Sequence, residues 1–129
     1  MAQYMLLLHQ LPVTNAQLPP ETMTDVVRRY YEWAQVMREK GKLVGGEKLA
    51  AGRVRHIRMR DGKPLSSDGP YAEAKDVVGG YFVIEAKDDA EADAIAGDCP
   101  HLWNATNWVE VRPIDQMTAA EAPKAKAAG

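Results

Sequence analysis

The chain has 129 residues, 46% of them hydrophobic and 26% charged, the size and balance of one globular domain with a core of its own. Its 16 basic and 18 acidic residues give a formal net charge of −2, so it lacks the basic surplus that counterion-release binding to nucleic acid needs, and 7% aromatics offer little base stacking. A single cysteine, Cys99, excludes an internal disulfide, and no run approaches the roughly 20 apolar residues of a membrane-spanning helix.

Residues 3 to 9, Gln-Tyr-Met-Leu-Leu-Leu-His, form a short unbroken apolar run, as expected of a central strand. Met1 to Leu8 has no basic flank and is too short for a signal peptide, so a cytoplasmic location is expected. Pro12, Asn15, Pro19 and Pro20 mark a loop. Met23, Val26, Val27, Tyr30, Trp33, Ala34 and Met37 then recur at three- and four-residue steps, which predicts an amphipathic helix of about five turns. Thr22 with Asp25 resembles a capping box at its start, and Gly41 suits a left-handed stop.

Strands are expected over residues 42–50 and 53–60, with Gly45, Gly46, Ala51 and Gly52 permitting bends or bulges. Neither face of 53–60 is cleanly apolar, which predicts partial exposure. Asp61-Gly62-Lys63 signals a hairpin and Asp68-Gly69-Pro70 a second turn, with one helical turn over Ala72 to Val77. Tyr81 to Ala86 alternates as a strand, and Asp88 or Asp89 offers an N-cap to an Ala-rich helix over 89–96, ended by Gly97. Trp108 to Arg112 alternates as the last strand, with Val109 and Val111 inward. From Met117 the chain lacks an apolar face, so the domain is set at 1–115 and residues 116–129 are expected to be a disordered tail.

Helices set among hairpin-linked strands favour α+β over a doubly wound sheet, and the element order fits a ferredoxin-like βαββαβ with an inserted hairpin around residues 59–68. A single sheet with both helices on one side leaves its other face bare. That face is expected to carry some of Tyr4, Leu6, Leu8, Ile57, Tyr81, Val83 and Trp108, and to close against a second copy as a dimeric α+β barrel with a cleft between sheet and loops.

Asp68-Gly69-Pro70-Tyr71-Ala72-Glu73-Ala74-Lys75 resembles the signature of the DGPF-type branch of the YCII-related family, with Tyr71 where Phe is usual and Ala74 where Thr is usual. Gly79-Gly80-Tyr81-Phe82, Gly41 to Glu47, Cys99-Pro100-His101-Leu102 and Glu110 to Ile114 extend the resemblance over about residues 3–114. It implies a ferredoxin-like fold and a dimeric barrel, and little about reaction. Some members occur beside sigma-factor-like regions. A related branch carries a His on the first helix and an acid before the helix-ending Gly. Here the acid position falls at Glu39 but the His position at Tyr30, so that pair does not carry over.

Each candidate residue has a structural and a functional reading. Asp68 either bonds the amides of its own turn or serves as a general base, which would require partial burial. His101 and His9 are candidate acid–base partners for it, since an unperturbed imidazole titrates near pH 6.5; a lone histidine is otherwise a structural residue. His56 and Arg58, with Arg53, can form an anion-binding edge. Lys75 is a candidate anchor for an anionic substrate, Tyr71 a ligand contact within the signature, and Arg112 either an interface or a ligand residue on one strand face with Trp108 and Glu110. Glu73 reads as a solvated charge, and Cys99 as a buried thiol for want of a well-placed base.

Neither a metal nor another cofactor is expected, because His9, His56, His101 and Cys99 show no ligand spacing. Two functions remain open. One is an acid–base enzyme of the lyase, isomerase or small oxygenase type acting on an unknown small molecule, with Arg58 or Arg112 holding an acidic group. The other is a non-catalytic sensing or partner-binding module associated with transcription regulation. In both, the partner is a second copy, with no nucleic acid and no membrane.

Overall fold

A computed structural model describes residues 1–11, 19–50, 54–68 and 76–115, apart from the side chain of Asp68. The expected tail, the signature segment 69–75 and Arg53 lie outside the described residues.

Strand β1 (Ala2–Gln10) leads to α1 (Pro20–Glu39), β2 (Leu43–Lys48), a hairpin of β3 (Arg55–Arg60) and β4 (Lys63–Asp68), then β5 (Val77–Ala86), α2 (Asp89–Gly97), a single 3-10 turn at Pro100–Trp103 and β6 (Trp108–Pro113). Four strands form an antiparallel sheet in the order β2-β5-β1-β6, while β3 and β4, among the described residues, pair only with each other. This is the expected ferredoxin-like α+β architecture with an inserted hairpin.

Directly paired residues of antiparallel strands share a face. Tyr4 pairs with Ile84 and Pro113, Leu6 with Phe82 and Val111, Leu8 with Gly80 and Val109. These residues face the helices, and Leu6 and Ile84 are fully buried. Burial of each such side chain contributes roughly 1.5–3 kcal/mol. Of the residues expected on the bare face, that face carries Tyr81, Val83 and Trp108 but not Tyr4, Leu6 or Leu8, nor Ile57, which stands on the separate β3–β4 hairpin. The bare face carries Met5, Leu7 and His9 with their partners Val83, Tyr81, Trp108, Glu110 and Arg112. An unbroken apolar run gives no alternation from which to choose the inward set; the register chooses it.

The buried cluster joins Tyr4, Leu6, Leu8, Leu43, Ile84 and Ala86 of the sheet to Met37 of α1, Ala92 and Ala96 of α2, and Cys99. Trp33 packs on Phe82 at 5.0 Å between ring centroids. Val26, the other buried residue of α1, lies outside this cluster. Met37 thus seats the C-terminal end of α1 on the core, and α1 residues from Met23 to Arg38 border a cavity described below.

Local chemistry explains most boundaries. Gly41 ends α1 with φ +72°, a conformation that costs a residue with a Cβ more than glycine. Asp88 caps α2, accepting from the Glu91 N–H at 2.9 Å. The capping box at Thr22 is not formed: α1 starts earlier, at Pro20, with Pro19 at the cap and no side-chain bond there. Proline's fixed φ suits the first helical turn and moves the start forward. Strand β5 likewise begins at Val77, ahead of the expected Tyr81, so Val77 belongs to a strand and not to a helical turn. The Gly79-Gly80 pair lies inside the strand, where Gly79 is the extra residue at a bulge opposite Leu8 and His9.

Two charged contacts tie α2 to the sheet layer. The Tyr4 hydroxyl donates to Asp89 at 2.7 Å, which pushes the phenol up to about 12. Lys42 donates to both Glu91 oxygens at 3.1 and 3.2 Å, and the Lys87 backbone N–H adds a third bond at 2.8 Å. The Lys87 N–H first, and Lys42 with it, hold the Glu91 carboxyl below its usual range.

Candidate functional site

A cavity of about 400 Å³ lies between α1 and the β2–β5 side of the sheet. Met23, Val26, Val27, Ala34, Leu8, Leu43 and Phe82 give it apolar walls. At Gly46 an added Cβ would come within 2.6 Å of the Tyr81 carbonyl and 2.7 Å of the Phe82 ring, so the β2 backbone packs where no side chain fits. Tyr30, His101, Trp103 and Asn107 close the polar end, and Arg38, Glu47 and Lys48 are the exposed charged residues around it. Among the described residues, none of these three charges makes an ion pair.

His101 is the centre of the polar end. The short 3-10 turn after Cys99-Pro100 places it inward, 2% exposed. Its Nε2 lies 2.8 Å from the backbone carbonyl of His9 and its Nδ1 2.7 Å from the Tyr30 hydroxyl. A carbonyl only accepts, so Nε2 carries the proton and Nδ1 of the neutral ring accepts from Tyr30. Burial holds the imidazole below its ordinary value, which keeps it neutral. Burial also raises the Tyr30 phenol above its ordinary value, with Cys99 adding to the rise and the Trp103 indole opposing it. The pair is a neutral hydroxyl–imidazole unit with both ring nitrogens engaged. Asn107 completes it, donating from Nδ2 to the His101 carbonyl at 3.0 Å.

His9 contributes its backbone to this side of the sheet and its ring to the other. The bulge between Leu8 and His9 interrupts the β1–β5 ladder at the position whose carbonyl serves His101. On the open face the His9 ring stacks on Trp108, with centroids 3.9 Å apart and planes 9° from parallel. Its Nε2 donates to Glu110 Oε1 at 2.8 Å, and Glu110 lies 4.0 Å from Arg112. His9 and Arg112 thus belong to one cluster on the open face, and His101 to the cavity on the helix face.

His56 and Arg58 stand on β3, on the same side of the hairpin, away from both groups of residues. The side chain of Asp68, and all of Tyr71 and Lys75, lie outside the described residues. The cavity residues Tyr30, Trp103 and Asn107 were not singled out as site residues from the chain. Tyr30 reads as an apolar position of the helix, and only its departure from the first-helix His of the related branch marked that point. Among the described residues, no group of three His, Cys, Asp or Glu side chains is placed to hold a metal ion.

Cys99 sits under this site and is 3% exposed; burial pushes its thiol up to about 11. The native protein is therefore expected to be inert to an aromatic disulfide reagent at pH 8 and to react at once when unfolded in urea. Rapid stoichiometric labelling of the native chain would contradict this burial.

No helix among the described residues is long and apolar enough to cross a membrane. No curated protein matches the chain. The YCII-related domain model matches residues 2–118, a span that takes in the whole sheet, both helices and every wall of the cavity, and the chain belongs to the YCII-related family.

Proposed function

We propose that this chain binds a small, largely apolar molecule in the cavity between α1 and the β2–β5 side of the sheet. The observation that carries this reading is an apolar chamber of about 400 Å³ with one buried polar unit, Tyr30–His101, at its end. Ligand pockets commonly combine that size with few, fixed polar groups. Arg38 and Lys48 favour an acidic group at the exposed end of the ligand. Binding without turnover is favoured over acid–base catalysis at His101, because both ring nitrogens are committed within the protein. The competing reading assigns proton transfer to Asp68; turnover of a bound compound that is lost in Asp68→Ala would support it.

The test is a thermal-shift screen of small aromatic and aliphatic acids, alcohols and amides, with stoichiometry of each hit by calorimetry. Ala34→Phe adds a ring to the cavity wall and is expected to abolish binding while the unfolding midpoint changes by only a few degrees. A hit that binds Ala34→Phe unchanged lies elsewhere and rejects the reading.

The open face is read as the interface of a homodimer. Support comes from Met5, Leu7, Tyr81, Val83 and Trp108, which neither helix covers. The free thiol of Cys99 suits a reducing, cytoplasmic compartment.

A further inference from the structure

We propose that the buried end of the cavity recognises a hydrogen-bond donor, so that the ligand enters with a hydroxyl or N–H group foremost and not a carboxylate or an ether oxygen; this rests on the cavity being the binding site. Tyr30 has spent its one proton on His101 Nδ1, because Nε2 must donate to the His9 carbonyl. What Tyr30 has left is lone-pair capacity.

Asn107 carries the second half of the inference. Its Nδ2 lies 3.0 Å from the His101 carbonyl, which only accepts, and this sets the orientation of the amide. Oδ1 is then the buried atom of a residue 7% exposed and has no partner among the described residues. A buried acceptor left unpaired is uncommon and costly, and the residue that carries it lines the cavity. The other buried polar atom without a partner, Trp33 Nε1, does not line the cavity. Gln10, half-buried in the wall, offers both a donor and an acceptor and does not discriminate. A carboxylate at this end would meet lone pairs, whereas a hydroxyl or N–H would complete Asn107 or Tyr30.

Calorimetric titration of the full chain with 4-propylphenol, 4-propylanisole and 4-propylbenzoate separates these cases. In an apolar cavity without a free acceptor the anisole binds more tightly, since the phenol hydroxyl leaves water without compensation. With a free acceptor, the phenol is expected to bind about tenfold more tightly than the anisole, while the benzoate enters only in the reverse sense, its carboxylate toward Arg38 and Lys48. Asn107→Leu, which removes the acceptor at similar volume, is expected to bring the phenol-to-anisole affinity ratio to one or below; the wild-type ratio stands by itself if that variant does not fold. An anisole that matches or exceeds the phenol in the wild type overturns the donor inference and leaves the cavity reading in place. Failure of all three to bind overturns the cavity reading and the inference with it.

Discussion

His101→Ala is expected to lower the unfolding free energy by about 3 kcal/mol, the combined cost of a buried void and of two groups deprived of their partner. The Tyr30 hydroxyl and the His9 carbonyl would both be left without the imidazole that now joins them across α1 and β1. Tyr30→Phe removes only one of those bonds and is expected to cost about 1 kcal/mol. Urea denaturation of the three proteins measures both, and equal losses in the two variants would show that the imidazole is not the joint.

The same histidine makes stability depend on pH. Burial depresses the folded-state value below the ordinary 6.5, so between the two values the unfolded chain holds a proton that the folded chain does not. The contribution is complete above pH 6.5 and declines as pH falls from there toward the folded-state value. Urea midpoints taken from pH 8 down to pH 5 are expected to fall over that window in the wild type and to fall less in His101→Gln. An identical slope in His101→Gln would assign the acid sensitivity to other groups.

The second large effect concerns the open face. Leu7→Lys places a charge at its middle, beside Glu110, its cross-strand partner on β6. Within one chain that pair is tolerable, since opposite charges across strands interact favourably. Across a twofold interface the same lysine is buried twice. Dissociation is expected to rise by at least about a hundredfold, the equivalent of roughly 3 kcal/mol. Light scattering on the eluting protein should then give a monomer for Leu7→Lys and a dimer for the wild type. A wild-type chain that stays monomeric at high concentration would reject the dimer, while the cavity, which lies wholly within one chain, would be untouched.

Much of the fold was legible in the chain because its signals are local. The three- and four-residue spacing from Met23 to Met37, the cap at Asp88 and the stop at Gly41 each depend on neighbours within a turn or two, and each stands where it was expected. The misplacements have physical reasons. Strand β5 runs back to Val77 through a glycine bulge that breaks the alternation, and proline at position 20 opens a helix as well as it ends a loop. The inward set of β1 could not be chosen from Leu6-Leu7-Leu8, since all three are apolar.

The candidate site was far less legible. His9 and His101 were singled out, yet the two do not share a face: one gives its ring to the open side, and only its carbonyl meets the other. Composition, spacing and the family resemblance determined by themselves an α+β fold with a ferredoxin-like order of elements. Only the tertiary structure decided that Tyr30, His101 and Asn107 meet at the end of an apolar chamber. They lie 71 and 6 residues apart along the chain, and it is the strand register and the 3-10 turn after Cys99 that bring them together. Hydrogen-bond partners set by long-range packing leave no periodicity in the sequence, so no local pattern carries them.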